Sequence, residues 1–320
     1  MQPLPFGVRF FETLFRLMPN MSIAKMSLEQ IEKSQAQVLP DNLMVKLFLG
    51  GTQKGVQVAD RAISGPGSSL PLRIYTPASA ALAPRPLVLH FHGGGWVLGN
   101  LRSGDWMCST VARDADAVVI SVDYRLAPAH KFPAGLEDCY AALIWARDNA
   151  ASLGADPKRI GVMGDSAGGN LATVLCLLSK DRHGPQICHQ ALLYPVTDGR
   201  MSTESYQTFK DGAILSAADM QAFYRYYLEP GMDPLDWRIS PLHAADHSGL
   251  PPALIVVAGR DPLHDEGVLY AEKLAAAGVP VILKEYPQMP HGFASSPALS
   301  RDARPAFAAL TRAQRAAFYP

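Results

Sequence analysis

The spacing of apolar residues in this chain indicates strands first and an alternation of strands and helices afterwards. Two short runs of strand-forming residues, Val56–Ala59 and Leu72–Tyr75, flank a turn-rich stretch at 64–69, which predicts an antiparallel pair. Two later runs, Leu87–Phe91 and Ala117–Val122, are apolar almost throughout, as strands buried on both faces require. We therefore expect residues 55 to 127 to form mostly strands.

Beyond residue 127, predicted helices and predicted strands alternate along the chain. Apolar residues at helical spacing predict helices near residues 133–151, 170–179, 266–277 and 305–317. Short apolar runs between and after them predict strands at 159–163, 191–194, 253–257 and 281–286. Such alternation predicts an α/β fold with a mostly parallel central sheet flanked by helices on both faces.

Two segments, residues 1–50 and 200–245, lie outside this alternation. Insertions at the carboxyl ends of strands in such sheets lie over the ligand site, so we interpret both segments as one helical cap on a catalytic domain of residues 51–320. The apolar face at residues 10–18 is expected to pack on the protein itself rather than on a membrane surface. The second segment holds four aromatic residues, which could line a pocket or form the core of the cap: Phe223, Tyr224, Tyr226 and Tyr227.

The composition disfavours several classes of function. Lysine plus arginine and aspartate plus glutamate number 29 each in 320 residues, so no net charge attracts nucleic acid or an anionic membrane. The four cysteines are scattered, which disfavours a cysteine metal site and fits a reducing, cytoplasmic environment. Charged residues and prolines interrupt the apolar N-terminus, and no uncharged apolar run is long enough for stable membrane insertion.

One five-residue motif carries the chemistry. Gly164-Asp165-Ser166-Ala167-Gly168 lies between a predicted strand and a predicted helix. A serine between two glycines at such a junction is typical of a nucleophile elbow, where small neighbours allow a sharp turn that presents the hydroxyl. Ser166 is therefore the candidate nucleophile.

A serine hydroxyl needs a base, and the base needs a carboxylate that fixes its tautomer. His291 is the candidate base, because it alone follows the last predicted strand in a turn-like context. Asp261, directly after the strand at 253–257, is the candidate acid and is preferred to Asp265, which lies in the first turn of a helix. We interpret the other histidines after Ser166 as surface or cap residues: His183, His189, His243, His247 and His264.

A run of three glycines supplies candidate hydrogen-bond donors for the oxyanion that forms when a serine attacks a carbonyl group. His92-Gly93-Gly94-Gly95-Trp96 follows the predicted strand Leu87–Phe91, and glycines let backbone N–H groups approach a ligand closely. The candidate oxyanion donors are the N–H groups of Gly93, Gly94, Gly95 and Ala167.

These motifs together resemble the bacterial hormone-sensitive lipase-like esterases of the GDSAG type, over about residues 55 to 320. The resemblance implies an α/β-hydrolase fold with an N-terminal cap, and Gly94 and Gly95 acting with Ala167 as oxyanion donors. One position departs from the family, which commonly has glutamate where this chain has Ala129. The motifs that carry the resemblance are His92–Trp96, Asp123–Pro128, Gly164–Asn170, Asp261–Gly267 and His291–Phe293.

The sequence thus predicts a serine carboxylesterase acting on short- to medium-chain acyl esters through an acyl-enzyme. We expect no metal and no organic cofactor, a small acyl ester as the only ligand, and, by resemblance, a monomer or homodimer. Trp96, Tyr194 and Phe223 are candidates for the substrate pocket. Amide or lactone hydrolysis and acyl transfer on the same triad are alternatives. A ligand receptor of the same fold is a third, disfavoured because such receptors have typically lost the histidine that this chain keeps.

Overall fold

The fold is organised by one eight-stranded sheet, seen in a computed structural model that describes residues 8–9, 12–13, 22–37, 49–67, 69–297 and 300–320. The strands are β1 (Val56–Ser64), β2 (Ser69–Pro77), β3 (Arg85–Phe91), β4 (Val118–Val122), β5 (Ala155–Asp165), β6 (Ile187–Leu193), β7 (Ala253–Arg260) and β8 (Val281–Pro290). The α-helices with both ends in the described residues are α1 (Leu28–Ala36), α2 (Asp105–Ala115), α3 (Ala134–Asp148), α4 (Ala167–Asp181), α5 (Glu204–Thr208), α6 (Ala217–Tyr227), α7 (His264–Ala276) and α8 (Ala303–Phe318).

The sheet order is β1-β2-β4-β3-β5-β6-β7-β8. Strands β1 and β2 pair antiparallel with Ser64 opposite Ser69, so the predicted hairpin is confirmed. The β2–β4 pair is antiparallel too, and every later pair is parallel, which confirms the mostly parallel sheet. Since the carboxyl ends of parallel strands lie on one edge, the loops that carry the predicted site residues meet there.

The central strands are buried on both faces. Every residue of β3 and β4 is buried, and side chains that alternate along β3 enter different apolar clusters. Leu87 and Leu89 pack in the cluster that includes α3 and α4, whereas Val88 packs in the cluster that includes α2 and α8. This two-sided burial explains why β3 and β4 are apolar almost throughout, without a polar face.

The helix α2 was not predicted, because residues 55 to 127 were expected to be mostly strands. A parallel β3–β4 pair needs a crossover connection, and α2 supplies it. The helix buries Trp106, whose ring meets Phe307 of α8 edge-on with 4.5 Å between centroids. Ser109 and Thr110 are buried although they are polar, so they interrupt the helical spacing of apolar residues in the sequence.

The two segments outside the alternation contact each other. Ser22 Oγ donates to Asp219 Oδ1 at 2.6 Å, and the N–H of Ala24 donates to the same oxygen at 3.2 Å. Asp219 also completes a capping box with Ser216 at the start of α6. The amphipathic face expected at residues 10–18 lies outside the described residues, apart from positions 12 and 13.

The C-terminal helix α8 spans 16 residues and buries one face against α2 and the sheet. Among the helices of the described ranges, none has both the length and the apolar character needed to cross a bilayer.

Ile120 and Ile282 offer a matched test of the core. Ile120 in β4 is fully buried, whereas Ile282 in the edge strand β8 is 48 % exposed. We expect Ile120→Ala to lower the free energy of unfolding by about 2–5 kcal/mol, since it leaves a cavity. Ile282→Ala should cost less than about 1 kcal/mol. Urea denaturation of both variants measures the difference, and equal midpoints would contradict this account of the core.

A buried histidine makes the stability depend on pH. His189 in β6 is almost fully buried, and burial lowers its pKa to about 4, against an ordinary value of 6.5. Between these values the unfolded chain protonates this histidine and the folded chain does not, so the contribution of His189 to stability rises with pH across this window.

We therefore expect His189→Gln to remove one contribution to the pH dependence of the unfolding free energy, up to about 3 kcal/mol between about pH 4 and 6.5. Part of the slope should remain, because burial also lowers the pKa values of His90 and His92. Denaturation at several pH values measures the slope, and His130→Gln, at an exposed position, controls for the substitution. The wild-type slope in His189→Gln would show that another group is responsible.

Candidate active site

The turn that carries Ser166 is sharp and tightly packed. Strand β5 ends at Asp165 and α4 begins at Ala167, so Ser166 alone makes the turn, with φ 56° and ψ −120°. A Cβ at Gly168 would lie 1.9 Å from the Phe91 carbonyl oxygen. A Cβ at Gly164 would lie 2.2 Å from the Gly168 carbonyl oxygen. Both glycines are therefore required by backbone contacts that no side-chain movement can relieve.

The structure brings Ser166, His291 and Asp261 together. Ser166 Oγ lies 2.9 Å from His291 Nε2, and His291 Nδ1 lies 2.7 Å from Asp261 Oδ2. A carboxylate only accepts, so Nδ1–H donates to Asp261 and leaves the Nε2 lone pair to accept from the serine hydroxyl. Asp261 is fully buried, and its Oδ1 accepts the N–H of Leu263 at 2.9 Å. The imidazole is thus held in the tautomer that a general base needs.

The alternative residues lie elsewhere. Asp265 accepts the N–H of Ser205 at 2.8 Å and contacts His264 Nδ1 at 2.8 Å, in a partly exposed network. His243 contacts Asp198 at 2.9 Å. His247 donates to the Pro241 carbonyl. The expectation that His189 is a surface or cap residue is wrong, because His189 is buried within strand β6. His183 lies in the turn after α4.

The glycine run lies beside the turn. The N–H of Gly93 donates to Asp165 Oδ1 at 3.0 Å, so it is already engaged. Gly94 and Gly95 have φ values of 113° and 62°, in the region that favours glycine. Within the described part of the chain, no hydrogen bond uses the N–H of either residue. Ala167 begins α4, where N–H groups lack helical partners. Three of the four predicted donors therefore stay available.

Neighbouring side chains fix the glycine run. Tyr124 Oη donates to the His92 carbonyl at 2.7 Å, and the two rings stack with 4.4 Å between centroids. Burial lowers the pKa of His92 to about 4, so its imidazole is neutral at neutral pH. Gln35 of α1 donates to the carbonyls of Val97 and Ala127 at 2.7 and 2.8 Å. Gln35 thus joins the glycine run to the loop that contains Ala129.

The three residues predicted to line the substrate pocket lie at three different positions around the site. Phe223 of α6 covers the glycine run, since a Cβ at Gly95 would lie 2.1 Å from its ring. Trp96 is buried and stacks on Tyr227 with 4.3 Å between centroids. Tyr194 is buried with its ring centroid 4.8 Å from that of His291. Substrate contact by these residues stays a prediction.

Sequence reasoning gave no role to three buried polar residues. Asp165 accepts from Gly93, and Asn170 Nδ2 donates to the carbonyls of Val196 and Ile239 at 2.9 Å each. Glu266 Oε1 accepts the N–H of Thr197 at 2.6 Å, and burial raises the pKa of Glu266 well above its usual range. A polar residue inside an otherwise apolar strand end or helix face is the signal that could have found them.

A metal site would need a cluster of ligands. In the described ranges, no group of three or more histidine, cysteine, aspartate or glutamate side chains could hold a metal ion.

Comparison with known proteins identifies the family to which the chain belongs. Residues 88–295 match a family described by its α/β-hydrolase fold. The chain belongs to the α/β-hydrolase fold family. Two relatives come from Mycobacterium tuberculosis. Carboxylic ester hydrolase LipN is 47% identical over 76% of this chain and 66% of its own length. Carboxylesterase NlhH is 39% identical over 96% and 93%.

A solved structure agrees over nearly the whole length. The hyperthermophilic esterase of the archaeon Pyrobaculum calidifontis superposes on this α/β hydrolase with a TM-score of 0.88. It is 36% identical, and the match covers 98% of this chain and 99% of that one. The resemblance to hormone-sensitive lipase-like esterases and the α/β-hydrolase fold class are both confirmed.

Proposed function

We propose that this protein is a serine carboxylesterase that hydrolyses short- to medium-chain acyl esters through an acyl-enzyme. The observation that carries the proposal is the continuous hydrogen-bonded series from Ser166 Oγ through His291 to Asp261, with distances of 2.9 and 2.7 Å. The relatives named as carboxylesterases support ester hydrolysis as the reaction.

The reaction follows from these positions. Ser166 Oγ attacks the ester carbonyl carbon while its proton passes to His291 Nε2. Asp261 stabilises the imidazolium, and the N–H groups of Gly94, Gly95 and Ala167 stabilise the oxyanion. The C–O bond to the alcohol then breaks, and His291 gives its proton to the departing oxygen. Water activated by the same histidine hydrolyses the acyl-enzyme and restores the serine.

A cavity next to His291 suits the departing alcohol. It has a volume of about 240 Å³ and lies between the loop at 208–215 and the end of β8. Its lining includes Leu215, Arg260 and His291. Because His291 protonates the leaving group, we place the alcohol on this side and the acyl chain toward Phe223 and α6.

We propose that residues 22–37 and 200–245 form the described part of a cap over this site. The contact of Ser22 with Asp219 joins the two segments, and Phe223 brings α6 onto the glycine run. Gln35 of α1 donates to the carbonyl of Val97, two residues after the last glycine of that run. A cap with these contacts would limit the room for the acyl chain.

Substitution of the nucleophile tests the proposal. Ser166→Ala should fold as the wild type does and lose at least about 10⁴-fold in the hydrolysis of p-nitrophenyl butyrate. A fluorophosphonate probe should label the wild type but not Ser166→Ala.

Ser152→Ala is the control, since it makes the same chemical change at an exposed position. Turnover or labelling that survives in Ser166→Ala would refute the assignment. A wild type that is neither active nor labelled would point to a binding protein instead.

Phe223 should set the acyl-chain preference. Phe223→Ala removes the ring that covers Gly95, so we expect the ratio of kcat/KM for p-nitrophenyl octanoate to that for the butyrate to rise on the order of tenfold. Tyr226→Ala, an aromatic truncation on the more exposed side of α6, is the control. An unchanged ratio would place the acyl chain elsewhere.

A further inference from the structure

A buried carboxylate next to the nucleophile has no part in the triad. Asp165 is the last residue of β5, is 8 % exposed, and precedes Ser166 directly. Its Oδ1 accepts the N–H of Gly93 at 3.0 Å. Its Oδ2 accepts from Ser295 Oγ at 3.3 Å. The same carboxylate thus contacts the glycine run and the turn that follows His291.

The contact with the glycine run is close enough to define its position. A Cβ at Gly93 would lie 2.5 Å from Asp165 Oδ2 and 2.9 Å from the Asp165 carbonyl oxygen. The backbone of Gly93 therefore rests on Asp165 with no space between them. Gly94 and Gly95 follow at once, so a movement of Gly93 would also displace these two candidate oxyanion donors.

The contact with Ser295 continues to the base. Ser295 Oγ lies 2.9 Å from Tyr194 Oη, whose hydroxyl can donate because Ser295 donates to Asp165. The Tyr194 ring lies against His291, with 4.8 Å between centroids. A hydrogen-bonded series from Tyr194 through Ser295 and Asp165 to Gly93 therefore connects the two sides of the site.

Among the residues that the structure describes, no lysine or arginine forms an ion pair with this carboxylate. His90 Nε2 lies 4.0 Å from Asp165 Oδ1, but burial lowers the pKa of His90 to about 3, so it is neutral. Burial raises the pKa of Asp165 to about 6, while the Gly93 hydrogen bond and, whenever His291 is protonated, the imidazolium charge act in the opposite direction. Burying a carboxylate without a cationic partner costs free energy, because the charge loses its hydration. Apolar packing alone therefore does not account for an aspartate at this position.

We propose that Asp165 is a positioning residue that acts as a hydrogen-bond acceptor and holds the oxyanion donors of the glycine run in register with Ser166 and His291. The proposal rests on the esterase function proposed above. It assigns the effect to the oxygen that accepts from Gly93 and not to the negative charge, and these two causes can be separated by substitution.

Asp165→Asn keeps an oxygen for Gly93 and offers an N–H to Ser295, whereas Asp165→Ala keeps neither. We expect kcat for p-nitrophenyl butyrate to stay within about fivefold of wild type in Asp165→Asn and to fall on the order of 10²-fold in Asp165→Ala. KM should change less than about threefold in both, because the oxyanion forms only after binding. Asp148→Asn and Asp148→Ala, on the exposed end of α3, are matched controls.

The outcomes are distinct. A kcat in Asp165→Asn as low as in Asp165→Ala would overturn the proposal in favour of the charge, and wild-type kcat in both would overturn it outright. A loss that appears in KM alone would also overturn it. Should Asp165→Ala not fold, Asp165→Asn decides alone: kcat within fivefold supports the proposal, and a loss above about fiftyfold overturns it. An inactive wild type would reject the esterase function itself, a separate result.

Discussion

The close approach of the β5–α4 turn to strand β3 is the constraint on which the site depends. The carbonyl oxygen of Phe91 lies where a side chain at position 168 would begin, so only glycine lets α4 start at this distance from β3. That contact places Ser166 beside the glycine run, because His92 and Gly93 continue directly from Phe91. The proposed nucleophile and the proposed oxyanion donors are therefore positioned by the same pair of strands.

Burial on both faces of the sheet determines what surrounds this contact. Apolar residues fill the strands, and several of the polar side chains that remain inside form hydrogen bonds near the strand ends. Asp261, Asn170 and Glu266 each accept from or donate to backbone groups of the loops that follow strands. Loops that carry functional side chains gain fixed geometry in this way, although loops in general are the more variable parts of a fold.

The sheet and the loops at its edge could be predicted from the sequence. They depend on the spacing of apolar residues and on the order of the motifs along the chain. Alternating strands and helices identified the parallel sheet, and the order of Ser166, Asp261 and His291 indicated three loops at one edge. The helix at 105–115 was missed because its buried face includes Ser109 and Thr110, so apolar spacing did not reveal it. Burial of polar groups depends on three-dimensional packing, which a linear pattern does not contain.

The same limit applies to the glycine run. Three consecutive glycines look equivalent in the sequence, yet Gly93 donates to Asp165 while Gly94 and Gly95 keep their N–H groups unused within the described residues. Only the position of Asp165, at the end of an apolar strand, distinguishes them.

The hydrogen bond between Ser22 and Asp219 joins residues 197 positions apart. Because Ser22 precedes Asp219 in the chain, the segment around Ser22 cannot make this contact until α6 has been synthesised. Strands β1 to β6 lie between the two partners in the chain, so this contact can form only after most of the central sheet has been synthesised.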